Sequence, residues 1–94
     1  MSETETEQRL DIWPWRARFF KTRSEAAKLV TTKGVRVDRS GLVRKVIKPG
    51  ATVTPDDILS FRKAKEIVTV RVLGLPHRRG PAPEAQENYE LVVD

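Results

Sequence analysis

The densest chemistry in this sequence lies between Arg16 and Arg36, where Arg16, Arg18, Lys21, Arg23, Lys28, Lys33 and Arg36 stand against one acid, Glu25. The guanidinium fork matches the oxygens of a phosphate, and an ammonium group supplies a compact point charge. Lys21-Thr22-Arg23-Ser24 puts two cations and two hydroxyls at what reads as a helix start. Unpaired backbone N–H groups and the positive dipole end already favour an anion there. Lys33-Gly34 closes the same helix, the small Gly34 leaves room for a nucleic-acid backbone, and Arg36 follows on a strand. Arg16, beside the apolar face of a preceding helix, is placed to reach across to that surface. Each base taken singly is equally well read as a solvated charge. The cluster as a whole points to a polyanion.

The remaining residues offer little catalytic chemistry. Asp56 and Asp57 are adjacent carboxylates without metal-ligating neighbours, and their setting is that of a turn. His77 is the one histidine; it follows Pro76 in a basic loop, where it can meet a phosphate or simply be solvated. A lone histidine builds neither a His-rich zinc site nor a convincing triad. The absence of cysteine removes disulfides, thiolate metal sites and cysteine nucleophiles. No phosphate-binding glycine loop, nucleophile elbow or metalloprotease motif is present. The expectation is no enzyme, no cofactor and no metal.

Charge distribution sharpens the polyanion reading. The net charge is +5, but residues 1–8 carry −3, residues 9–48 carry +9, residues 49–83 carry +3 and residues 84–94 carry −4. A basic body between acidic ends is the footprint of a nucleic-acid binder. No apolar run approaches the roughly 18 residues of a membrane span. The acidic N-terminus has no apolar stretch of the kind a secretory signal needs. A cytoplasmic location is expected.

The elements that must position these cations are short. The 94 residues suffice for one small domain. Residues 1–8 read as a disordered acidic tail. Leu10, Trp13, Ala17 and Phe20 share one face of a first helix over about Asp11–Phe20, with Pro14 tolerable near its start. On that face Trp13 belongs to the core; Trp15, at its polar edge, packs against the C-terminal segment or stacks on a base. Thr22-Arg23-Ser24-Glu25 is a capping box opening a second helix from Arg23 to about Thr32, with Gly34 as its left-handed stop. Beyond Gly34 the period changes to two. Val35–Val37 and Leu42–Ile47 read as strands about a turn at Asp38-Arg39-Ser40-Gly41, and Pro49-Gly50 and Thr54–Asp57 as further turns. Ile58–Phe61 and Ile67–Leu73 follow as strands about a basic connector, Arg62–Lys65. Pro83 and Glu84 suit the first turn of a short C-terminal helix, with Tyr89 as its docking residue. The fold class is α+β.

These elements resemble a known family. Arg9-Leu10-Asp11, then Lys21 through Val30, then Gly34-Val35-Arg36-Val37 are similar to the RNA-binding domain of small-subunit ribosomal protein S-four, over about residues 9–61. The segments Asp11–Arg23 and Arg79–Ala85 resemble the stand-alone bacterial branch that includes the ribosome-associated heat-shock protein fifteen. The resemblance implies two N-terminal helices packed on a small bent antiparallel sheet, here with a short C-terminal helix. It implies a domain over residues 9–75 and a Pro-containing extension over 76–94. Carried onto matching positions, it implies RNA contacts at Arg16, Lys21, Thr22, Arg23, Ser24, Lys28, Lys33, Gly34 and Arg36. Structured RNA is the implied partner, chiefly ribosomal RNA of the large subunit, with tRNA or DNA as further candidates. The branch implies a heat-shock-related role in rescuing stalled subunits that carry nascent chain on tRNA, by a protein expected to be monomeric. Asp38-Arg39 stands where the family pattern has Asn-Gly, which makes the expected turn longer. The rival readings are a protein–protein adaptor for an acidic or ribosomal partner, an orphaned targeting domain of an RNA-modifying enzyme, and a DNA binder.

Overall fold

The computed structural model describes residues 6–93. The capping box forms as its chemistry requires. Thr22 is extended, its Oγ1 accepts the Glu25 N–H at 3.0 Å, and a ten-residue helix, α2, runs from Arg23 to Thr32. Ala26 and Val30 bury one face of it. Gly34 ends it at φ +81°, with the N–H groups of Lys33 and Gly34 both donating to the Leu29 carbonyl. That conformation is cheap for glycine alone.

The first helix is much shorter than its apolar spacing suggests. α1 is the single turn Trp13–Arg16, with Pro14 in its first turn. Arg18 then adopts φ +69° and reverses the chain, and the Phe19 N–H returns to the Pro14 carbonyl at 2.9 Å. This reversal turns Phe19 into the core beside Trp13, so the apolar residues are buried by a turn rather than by a continued helix.

Antiparallel strands β2 (Val35–Arg39), β3 (Leu42–Val46), β5 (Ile58–Lys63), β6 (Glu66–Val72) and β7 (Tyr89–Leu91) form one sheet in the order β3-β2-β5-β6-β7. A second, two-stranded sheet joins β1 (Gln8–Arg9) to β4 (Thr52–Val53). With the short helix α3 (Ala82–Gln86), the α+β class holds. Strand boundaries differ in three places. Asp38 and Arg39 belong to β2, and the hairpin turn is only Ser40-Gly41, both left-handed at φ +55° and +86°. Such primed turns match the natural twist of a hairpin. Arg62 and Lys63 belong to β5, so the basic connector reduces to Ala64-Lys65. Tyr89 docks from β7, not from a helix, and packs against Trp13 and Phe19.

Of the acidic tail, residues 1–5 lie outside the described residues, whereas Gln8 is a buried member of β1. The C-terminal extension is part of the fold, because β7 completes the main sheet. Side chains near the N-terminus donate to carbonyls of the same C-terminal stretch. Gln8 Nε2 and Arg16 Nη1 both reach Pro76 O at 2.8 Å, Trp13 Nε1 reaches Gly74 O at 2.9 Å, and Arg18 Nε reaches Gly80 O at 2.6 Å. In return Arg79 Nε donates to the Trp15 carbonyl at 3.1 Å. Two cations of the basic stretch therefore bond to the chain's own carbonyls. The core between the helices and the sheet is built on Trp13, Leu10, Val30, Val35, Val37, Leu59, Val70 and Val72, all at most 1% exposed.

Two carboxylates are buried in this scaffold, Asp11 and Asp57, and Asp57 is the deeper. Asp57, 1% exposed, receives Arg39 Nε on Oδ1 at 2.9 Å and Arg39 Nη2 on Oδ2 at 2.8 Å. The Thr54 N–H donates to Oδ2 at 2.8 Å. Burial alone would push this carboxyl up, but the bonds from Arg39 and Thr54 outweigh it and hold it below the usual carboxylate range. The unfolded chain therefore takes up this proton first as pH falls. The stabilisation is fully present above about pH 4, the unfolded value, and is lost as pH drops through the lower folded value. Asp57→Asn should cost about 2 kcal/mol at neutral pH and flatten the acid limb of stability, both read by urea denaturation between pH 2 and 7. An unchanged acid limb would remove Asp57 as its source.

Candidate nucleic-acid interface

The exposed side of the main sheet and the end of α2 frame a groove of about 460 Å³. Its cations come from four elements: Lys33 from the cap of α2, Arg36 from β2, Lys45 from β3 and Arg62 from β5. Alternation along each strand explains the gathering. Val35 and Val37 point into the core, which leaves Arg36 on the open face, and Leu59 and Phe61 do the same for Ser60 and Arg62. Pairing then lines these residues up across the sheet, with Arg36 opposite Lys45 on one side and Ser60 on the other. Ser60 Oγ and Thr69 Oγ1 share a hydrogen bond of 3.0 Å in the same row. Among the described residues no carboxylate lines the groove. Among the same residues, the arginines in ion pairs are Arg9, Arg23, Arg39, Arg71 and Arg78, and none of these five lines it. Arg36 and Lys45 are directly opposite across two strands, where side chains stand roughly 5 Å apart at Cβ, inside the screening length of about 8 Å at physiological salt.

Gly34 positions one of these cations directly. A side chain there would meet Lys45 Cε at 2.6 Å and Cγ at 3.2 Å. The space that sequence reading reserves for a nucleic-acid backbone is thus filled by the stem of Lys45, whose ammonium group is carried into the groove wall.

The residues expected to bind RNA fall in four places. Lys33, Gly34 and Arg36 share the groove. Lys28 and Lys33 border an adjoining cleft between α2 and the β5–β6 turn. Lys21, Thr22, Arg23 and Ser24 lie exposed at the opposite end of α2, about 15 Å away for a ten-residue helix. There Thr22 Oγ1 accepts the capping N–H, and Arg23 Nε lies 3.4 Å from the buried Asp11, which Arg9 also holds through two bonds. Arg16 is half-buried and donates to Pro76 O. His77 and Asp56 are exposed. Among the described residues no group of three or more His, Asp or Glu gathers as a metal site, and no helix is long and apolar enough to cross a membrane.

Lys45, Ser60 and Arg62 belong to the groove and are absent from the set expected to touch RNA. The signal for Ser60 and Arg62 is their alternation with Leu59 and Phe61, and that for Lys45 is the hairpin register. A two-residue turn at Ser40-Gly41 puts Lys45 opposite Arg36, whereas a four-residue turn puts Val43 there.

Comparison with known proteins identifies the family of the fold. The S4 domain model matches residues 8–59. The chain belongs to the S4 domain family. This S4-domain chain is 36% identical to a heat shock protein 15 homolog of Haemophilus influenzae over 92% of its length, which is 62% of the relative. It is 37% identical to heat shock protein 15 of Escherichia coli K12 over 94% of its length and 62% of the relative. It thus spans less than two thirds of the length of these curated relatives. A solved structure of Vibrio cholerae heat shock protein 15, described as trimeric, superposes with a TM-score of 0.78 at 34% identity, over 92% of this chain and 82% of that one. The family is an RNA-binding one, and the expected branch and fold are both met.

Gly34→Ala should force a left-handed alanine and displace Lys45. The expected loss of stability is about 1–2 kcal/mol, with amide shifts centred on β3 in a two-dimensional NMR spectrum. Wild-type stability and undisturbed β3 signals would contradict the seating of Lys45 on Gly34.

Proposed function

We propose that this protein is a non-catalytic RNA-binding module whose sheet-side groove seats the phosphate backbone of structured ribosomal RNA. The observation that carries the reading is the convergence of Lys33, Arg36, Lys45 and Arg62 on one groove that no described carboxylate lines. Lys28 borders the neighbouring cleft. Lys21, Thr22, Arg23 and Ser24 make a second contact at the far end of α2, and Arg16 supports the loop beside it. The major groove of duplex RNA is too narrow for side chains, so such a face reads phosphate geometry and shape more than sequence. The names of the relatives favour a heat-shock-related protein, and to this we add a cytoplasmic location and association with the large ribosomal subunit. Rescue of stalled subunits carrying nascent chain on tRNA is the role we assign to that association. The free protein acts as a monomer; trimer formation, as described for the Vibrio relative, is the alternative that sedimentation without RNA separates.

If about five phosphates are neutralised, log affinity should fall against log salt with a slope on the order of −3.5 to −4.5. Arg36→Glu with Lys45→Glu should make that slope shallower by about one for each phosphate left without its cation, while the protein stays folded. These positions are cleaner probes than Arg23, whose replacement by an acid would also repel Asp11. In a sucrose gradient of cell lysate the wild type should migrate with the large subunit at low salt, and the double variant should stay at the top. A folded double variant with an unchanged slope would remove the groove from RNA binding.

A further inference from the structure

Beside the cationic groove lies a second cleft of about 310 Å³ between α2 and the β5–β6 turn, and its character is different. Its floor is hydrocarbon: Phe20, Leu29 and Ala64. Its rim carries Lys28, Lys33 and Arg62, with Glu25 at one end. Lys33 and Arg62 also line the phosphate groove, so the two depressions are continuous across those two side chains. Phe20 and Leu29 are only partly buried, although both pack on the core, with Phe20 held 5.8 Å from Phe61 at a 43° tilt. An aromatic ring is therefore fixed from behind and open in front, next to cations already assigned to a backbone.

We propose that this cleft receives one unstacked nucleobase of the bound RNA. The substrate class is accordingly a helix interrupted by a bulged or looped-out nucleotide, not an uninterrupted duplex. The proposal rests on the RNA reading above and deepens it. A duplex keeps its bases stacked inside and offers a small cationic face only phosphates and sugars. A looped-out nucleotide offers a flat, largely apolar base joined to a phosphate. That pairing of surfaces matches an aromatic floor flanked by Lys33 and Arg62. The base would lie against Phe20 while its own phosphate sits between the two shared cations. Among the described residues Phe20 is the one aromatic in the lining of the cleft, so the stack is one base deep.

The test uses two RNA hairpins that differ by one 2-aminopurine bulge in the stem, with binding and base fluorescence measured together at fixed salt. Stacking on an aromatic side chain is worth ~1–3 kcal/mol, so the bulged hairpin should bind at least about fivefold tighter. The fluorescence of the 2-aminopurine should also change on binding. Phe20→Leu keeps an apolar group on Phe61 but removes the flat ring. It should bring the bulged hairpin down to the affinity of the plain one and leave the plain one unaffected. Should that variant fail to fold, Thr32→Met fills the cleft from its exposed rim and should do the same. Equal affinities with unaltered fluorescence in the wild type would overturn the proposal and leave the phosphate groove standing. Binding to neither hairpin would overturn both. Nuclease-resistant binding to isolated ribosomal proteins, abolished in Phe20→Leu while RNA affinity persists, would give the cleft to a protein side chain and overturn it as well.

Discussion

A carboxylate withdrawn from water must be paired and fully hydrogen-bonded, and in this chain that requirement falls on Asp57. Its side chain takes Arg39 from the end of β2 and the Thr54 N–H from the turn before β5. Its own carbonyl accepts the Val72 N–H from the end of β6. One residue thus ties together three strands at the edge away from the cationic groove. The arrangement is demanding, because a buried pair stabilises little when complete and costs much when one partner is removed. These bonds all belong to the observed register of β2, β5 and β6 and are lost together in any other.

That register decides the electrostatics of the opposite face. Where β2 and β5 are held in step, Arg36 lies beside Ser60, and the tight hairpin then brings Lys45 to its other side. Gathering Lys33, Arg36, Lys45 and Arg62 in a groove that no described carboxylate lines opposes folding through mutual repulsion, an effect that an anionic ligand reverses. The acids of the chain are used elsewhere. Asp11 takes Arg9 and Arg23, Asp57 takes Arg39, Glu84 takes Arg78 and Glu90 takes Arg71. Among the described residues, none of the cations that line the groove is in an ion pair.

Much of this is legible in the residues. The capping box, the glycine stop and the change of period after Gly34 are local signals, and α2 and the strands beyond it follow from them. The core face of β6 is the alternation of Val68, Val70 and Val72. What stays hidden depends on contacts between distant residues. The shortening of α1 needs Arg18 to turn left-handed so that its guanidinium reaches Gly80, 62 residues away. The same long-range bonding draws Arg16 toward Pro76, and no local pattern distinguishes such an arginine from one that awaits a ligand. Lys45 escapes sequence reading because a basic residue in a strand declares its face only once the partner strand is in register. Ser40 hides that register, since a left-handed serine is a weaker turn signal than the asparagine or glycine usual there.

The bonds that join the two ends of the chain also set the timing of its folding. Trp13, the largest side chain in the core, is closed over by Tyr89 and satisfied by the carbonyl of Gly74, and Gln8 and Arg16 wait for Pro76. Synthesis proceeds at about 5–20 residues per second and delivers the N-terminal end first. For several seconds, therefore, α2 and the first hairpin exist while Trp13 has no lid. Contacts of such long sequence separation form late and fold slowly. The nascent chain thus carries an open aromatic core until the stretch from Gly74 to Tyr89 is free of the machine that makes it.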